Sequence, residues 1–240
     1  HNGRRRQRQM CIRDSIRGDS SLSVMLQPPF ASHDSITVNF SYLEDEAGLS
    51  TVDIAYTYTT PILGDYDFDS KITYNDLWDL VENWEMKNFN YELGPVSGQV
   101  PHFISIPDSK FDIEDGMAFV QIWSWYQKEY GQIVEDTVMI GKPLNIAQLG
   151  NELSIFIDDS IASGQIQFSN NHIDSRLRFS TKSYDGAMYL SHQNPEKGYS
   201  ILEFARPKSM VKDTIHVTAD EESKLKIYYK FYGRDKKEIQ

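Results

Sequence analysis

Cysteine is almost missing from this chain, and the one present, Cys11, lies in a stretch that does not read as protein. Residues Arg5-Arg6-Gln7-Arg8-Gln9-Met10-Cys11-Ile12-Arg13-Asp14-Ser15 match, codon by codon, the translation of a transposase-based sequencing adapter. A processing scar is excluded from fold reasoning, so residues 1–15 are set aside and expected to be disordered. The chain is accordingly expected to be a fragment of environmental sequence that starts inside a longer protein. Without Cys11 no thiolate remains for zinc, for a disulfide or for nucleophilic chemistry. Positive charge is scarce as well. Residues 1–15 hold five arginines against Asp14, which leaves −15 on the remainder against −11 for the whole chain. Such acidity argues against nucleic acid, whose phosphates need Lys and Arg. No apolar run reaches the roughly 18 residues of a membrane-spanning helix.

Catalytic signatures are missing too. There is no Gly-x-Ser-x-Gly, no His-Glu-x-x-His, no phosphate-binding glycine loop and no dinucleotide fingerprint. His33, His102, His172, His192 and His216 are scattered without ligand spacing. Asp158-Asp159 follows a strand-like run and precedes Ser160, which reads as a turn rather than half of a glycosidase carboxylate pair. Arg17-Gly18-Asp19 resembles an integrin-binding tripeptide but borders the adapter, and the Asn39-Phe40-Ser41 sequon lies inside a strand-like run. No enzymatic activity is expected.

What is present is an acidic loop, Gly64-Asp65-Tyr66-Asp67-Phe68-Asp69-Ser70-Lys71-Ile72-Thr73-Tyr74-Asn75-Asp76-Leu77. Its carboxylates stand at positions 1, 3, 5 and 12 of a twelve-residue loop, the spacing of a calcium site. Calcium takes six to eight oxygens at about 2.3–2.6 Å. Asp65, Asp67 and Asp69 alternate toward one centre, Lys71 offers its carbonyl, and Thr73 a hydroxyl or a bridged water. Asp76, in the first turn of a helix, closes the shell. Position 6 is Ser70 where such loops carry glycine, and position 12 is Asp where they carry Glu. The flank before the loop, ending at Pro61, is β-branched and aromatic rather than helical.

A second copy lies about 39 residues on. Asp69–Trp84 aligns without gaps on Asp108–Trp123, with Asp69/Asp108, Ser70/Ser109, Lys71/Lys110, Asp76/Asp115, Val81/Val120 and Trp84/Trp123 identical. Each copy runs into an amphipathic helix. Leu77, Leu80, Val81 and Trp84 form one stripe and Met117, Val120 and Trp123 the other. Trp78 and Trp125 lie off these stripes and are candidates for a partner surface. In the second loop Ile104 and Ile106 fall at positions 1 and 3, leaving Asp108, the Lys110 carbonyl, Asp112 and Asp115. Either the segment Tyr91–Pro101 loops in to supply carbonyls or Glu92, or this second site binds weakly or not at all.

Two acidic loops, each followed but not preceded by a helix, resemble a type I dockerin. The resemblance covers residues 63–127 and implies calcium-dependent folding and docking onto a cohesin-like domain. The remainder reads as β. Ile36–Leu43 and Val52–Thr59, joined by the acidic turn Glu44-Asp45-Glu46, look like the last strands of a truncated immunoglobulin-like sandwich over residues 16–62. Leu153–Ile157, Gln165–Phe168, Arg176–Phe179, Ala187–Leu190, Tyr199–Phe204, Thr214–Thr218 and Lys224–Phe231 suit a sandwich over 128–240, cohesin-like or immunoglobulin-like. The expected fold is therefore mixed and mainly β, with sandwich pieces flanking a small two-helix calcium module. The expected role is non-catalytic: a calcium-binding, extracellular or surface-displayed part of a secreted bacterial protein, acting in docking or in stiffening its neighbours. The alternative is an accessory carbohydrate-binding part of an extracellular polysaccharide hydrolase, with Tyr184, Tyr189 and Tyr199 on one face of the last sandwich.

Overall fold

The computed structural model describes residues 13–16, 22–25, 29–41, 47–49, 52–131, 144–169, 177–181, 186–208, 212–219, 225–235 and 237–239. The first twelve adapter-like residues, Arg17-Gly18-Asp19, the acidic turn 44–46, His172 and Tyr184 lie outside these.

Two hairpins come first. Strand β1 (Arg13–Ile16) pairs with β2 (Leu22–Met25), and β3 (Ser35–Phe40) with β4 (Ile54–Thr59). Pro61 ends β4, and the acidic loop leads into helix α1 (Tyr74–Met86). A 3₁₀ turn at Phe89–Tyr91 precedes a short hairpin, β5 (Val96–Gln99) and β6 (His102–Ser105), and then helix α2 (Ile113–Tyr130). Both helices open on a capping box. Thr73 and Asp112 cap the backbone, and Asp76 and Asp115 reach back to the capping residue's own N–H. These satisfy amide donors that a helix start otherwise leaves unpaired.

The regular elements described after α2 are all strands: β7 (Asn145–Leu149), β8 (Glu152–Ile157), β9 (Ile161–Ser169), β10 (Leu177–Thr181), β11 (Met188–Asn194), β12 (Tyr199–Ala205), β13 (Asp213–Ala219) and β14 (Lys226–Gly233). They form two antiparallel sheets, ordered β10-β13-β8-β7 and β11-β12-β9-β14. Period-2 alternation sends Leu153, Ile155 and Ile157, Ile215 and Val217, Ile166 and Phe168, and Leu202 and Phe204 into one shared core. Leu225, Ile227, Tyr229 and Phe231 face the same core, as their alternation with lysines predicts. Among the described residues the protein is thus mainly β, with two α-helices.

The helices do not stand apart from the sheets. Leu77, Trp78, Leu80, Val81, Phe119, Ile122 and Trp123 share a second core with Ala162 of β9, Leu190 of β11 and Ala205 of β12. Every residue of β12 is buried, because one face of its sheet meets the other sheet and the opposite face meets the helices. This packing corrects the reading of the aromatic residues. Trp78 is only 2% exposed, so it is core and no partner surface, whereas Met117, placed on the stripe of α2, is 55% exposed. The buried stripe of α2 runs instead through Asp115, Ala118, Phe119, Ile122, Trp123 and Gln127.

Charged groups seal the joint. Glu203, fully buried on β12, accepts from Trp123 Nε1 at 2.7 Å, Gln165 Nε2 at 2.9 Å and Gln127 Nε2 at 3.3 Å. At the rim Lys208 Nζ lies 2.6 Å from Glu82, and the Tyr74 and Tyr232 hydroxyls are 3.1 Å apart. No helix among the described residues is long and apolar enough to cross a membrane.

Candidate cation site

The first loop folds so that carboxylate oxygens of Asp65, Asp67 and Asp76 all lie within 4.8 Å of one another. Asp76 is fixed by two amides, Oδ1 accepting from Tyr66 N at 2.8 Å and Oδ2 from Thr73 N at 2.9 Å. Asp65 is fixed on one side only. Its Oδ2 accepts from Ser70 N at 3.0 Å, while Oδ1 is buried with no partner. Asp67 is exposed, and its Oδ1 accepts from Asp69 N at 3.2 Å. Ser70 occupies the left-handed region at φ 65°, the conformation for which such loops use glycine.

Asp69, Lys71 and Thr73 join the loop differently. Asp69 Oδ1 accepts from Lys71 N at 2.8 Å, and its other oxygen lies 3.7 Å from Lys71 Nζ. The Thr73 hydroxyl oxygen accepts from Asn75 N in the cap.

The electrostatics follow from drawing three acids together, two of them buried. Burial pushes the Asp76 carboxyl up to about 7, against the pull of the Thr73 and Tyr66 amides and with the push of Asp67 and Asp65. Asp65 is raised in the same way, first by burial and then by the charges of Asp67 and Asp69. Such a cluster repels itself unless a proton or a cation sits between its members.

The second loop repeats the scaffold without the cluster. Asp115 Oδ2 accepts from Asp112 N at 2.8 Å, and its Oδ1 accepts from Leu93 N at 2.8 Å and Gly94 N at 2.9 Å. Leu93 therefore takes the part that Tyr66 plays toward Asp76. The residue before it, Glu92, takes the part of Asp65. Its buried carboxylate accepts from Asp108 N and, at 3.1 Å, from Ser109 N. Ser109, like Ser70, is left-handed, at φ 63°.

Position 1 of the second loop is thus Glu92 and not Ile104, and the β5–β6 hairpin is an insertion between positions 3 and 5. Gly94 stands where the first loop has Asp67, and a Cβ there would lie 2.7 Å from the Glu114 carbonyl carbon. Asp108 is paired with Lys110 Nζ at 2.7 Å, and Asp112 is spent on the amide of Glu114. Asp108, Lys110, Asp112 and Asp115 are not drawn into one cluster. Among the described residues the first loop holds the one group of three or more acidic, His or Cys side chains close enough to share an ion.

On the last sheets Tyr189 and Tyr199 do not form an open row. Tyr199 is 3% exposed, and Tyr189, half-buried, donates its hydroxyl to Asp213. Searches against protein-family models, curated protein sequences and solved structures give no match to this chain.

Proposed function

We propose that the protein is a non-catalytic calcium-binding module of an extracellular or surface-displayed protein. In it Asp65, Asp67 and Asp76 are the carboxylate ligands, with Asp69, the Lys71 carbonyl and Thr73 completing the shell. The observation that carries this is Asp65 Oδ1, a buried carboxylate oxygen with no donor, facing two further carboxylates. Buried polar atoms are ordinarily paired, and a hard divalent cation satisfies all three acids at once. The alternating spacing Asp65, Asp67, Asp69 and the left-handed Ser70 support calcium over smaller ions, which demand a stricter octahedron.

The duplicated loop-and-helix pattern, with Glu92 and Asp115 answering Asp65 and Asp76, supports the dockerin-like reading. The paired four-stranded sheets support a sandwich for the C-terminal part. In this reading stiffening is favoured over free docking to a cohesin-like partner, because much of each helix's apolar face is already spent on β9, β11 and β12. The ion clamps the start of α1, and α1 is fastened to the sheets. The second loop, with glycine in place of an acid, holds its shape by hydrogen bonds in this scheme.

Calcium titration of the full chain by calorimetry, with thermal melts in calcium and in chelator, tests the proposal. Saturable heat and a calcium-dependent melt, both lost in Asp67→Ala/Asp69→Ala, support it. Absence of both makes the loop a capped turn and refutes it.

A further inference from the structure

We propose that the cleft between the first acidic loop and the C-terminal end of α2 is a binding site for a neutral saccharide. The cleft has a volume of about 560 Å³, and its lining includes His33, Thr59, Asp65, Phe68, Tyr126 and Tyr130. That volume falls within the range of about 300–1,000 Å³ common to small-ligand sites and admits a mono- or disaccharide.

One wall is a set of rings held by one another. Tyr126 and Tyr130 sit one helical turn apart, with centroids 5.1 Å apart and planes tilted by 41°. Trp125 stands edge-on to both, at 6.4 and 5.6 Å, and His33 lies 5.3 Å from Trp125. The opposite side is Phe68 at the tip of the loop. It is 76% exposed and its backbone is left-handed, at φ 58°. A bulky residue in that region costs conformational energy. Core packing returns nothing for it here, so the exposed ring is explained by what it meets from outside.

The lining chooses the ligand class. Aromatic faces pack against the C–H faces of a pyranose, while its hydroxyls need acceptors and donors at the edge. Thr59, Ser70 and the Asp65 carboxylate stand there. Among the described residues no Lys or Arg lines the cleft, so a phosphate, sulfate or uronic acid would meet Asp65 with no cationic side chain of the lining beside it. A purely apolar ligand would strand Asp65 and the hydroxyls. An organic ammonium suits rings and acids, yet it competes with calcium for the same carboxylates. That last step, and it alone, rests on the cation reading above. The cleft itself stands on its geometry.

The test is calorimetry on the full chain with a panel of neutral α- and β-linked disaccharides and with tetramethylammonium. Each is titrated in calcium and in chelator, beside Phe68→Ala and Tyr130→Ala, both checked for the folded far-UV circular dichroism spectrum, Tyr130→Ala losing only its ring contacts to Trp125 and Tyr126. The expected result is saturable binding of at least one disaccharide, weakened tenfold or more by either variant, while calcium heat is unaltered. Silence across the panel, disaccharide binding indifferent to both variants, or binding of tetramethylammonium in place of sugar overturns the proposal. Sugar binding in a chain that gives no calcium heat upholds the cleft and refutes the cation reading alone. Calcium heat without sugar heat does the reverse.

Discussion

The indole Nε1 of Trp123 donates to Glu203 Oε2 at 2.7 Å, tying α2 to a strand that lies 80 residues further along the chain. Both groups are buried, so removing the donor leaves a carboxylate short of a partner where water cannot replace it. Trp123→Phe should lower the unfolding free energy by about 1–3 kcal/mol from the lost hydrogen bond, with a further packing loss. Chemical denaturation followed by far-UV circular dichroism measures this. An unchanged midpoint would mean that α2 is not fastened through Glu203.

The pH dependence of the metal-free protein follows from the same residue. Burial raises Glu203 to about 7 from an ordinary 4.5, outweighing the donors Trp123 and Gln165. The folded state then binds more protons than the unfolded chain between those values, so stability falls as pH rises through that window. The fall is on the order of 3 kcal/mol. Asp76, raised to about 7 from 3.8, acts in the same direction. Melts in chelator should therefore be highest near the acid end of this window and decline toward neutrality. Glu203→Gln should flatten part of the slope, and calcium should flatten the part due to Asp76.

Asp67 and Asp76 separate cation binding from folding. Asp76→Asn loses one of two amide acceptors at the start of α1 and should cost about 1–3 kcal/mol even in chelator. Asp67→Ala, on an exposed side chain, should leave the chelator melt within about 1 kcal/mol of wild type while abolishing the rise given by calcium. A calcium-induced rise that survives in Asp67→Ala would remove Asp67 from the shell.

Backbone conformation gives a fourth check. Ser70 and Lys87 are both left-handed, at φ 65° and 53°, and Lys87 is the C-cap of α1. An L residue pays about 1–2 kcal/mol in this region and glycine almost none, so Ser70→Gly and Lys87→Gly should each raise the melt despite the greater freedom of glycine when unfolded. A lowered melt in both would contradict these dihedral angles.

Glu92 and Asp108 offer a contrast within the second loop. Glu92→Ala strips acceptors from the amides of Asp108 and Ser109 and should cost about 1–3 kcal/mol. Asp108→Ala removes an exposed pair with the Lys110 ammonium and the bond from the Lys110 amide, and should cost less than Glu92→Ala. Equal costs in a urea titration would refute the equivalence of Glu92 with Asp65.

Local signals in the sequence account for a good part of this structure. The Asp65-x-Asp67 spacing, the caps Thr73/Asp76 and Asp112/Asp115, and the alternation in β8, β13 and β14 are each written within a few consecutive residues. What was not legible depends on distant partners. Glu92 could not be found by a gapless alignment, because the β5–β6 hairpin separates it from its loop. Trp78 looks surplus on a one-sided helix, yet α1 is covered on more than one side. Glu203 reads as a solvent-facing strand residue until α2 is laid across it. Strand β7 was missed because all its residues are exposed and its apolar pattern is weak.

Because β12 serves two cores at once, residues 63–127 are not a portable cassette. Cutting them away would leave Ala162, Leu190 and Ala205 bare beside an uncompensated acid, an invitation to aggregate. The surface that the joint spares on this part of the chain includes the tip of the first acidic loop, where Phe68 stands out, and the far end of α2, where Tyr130 does.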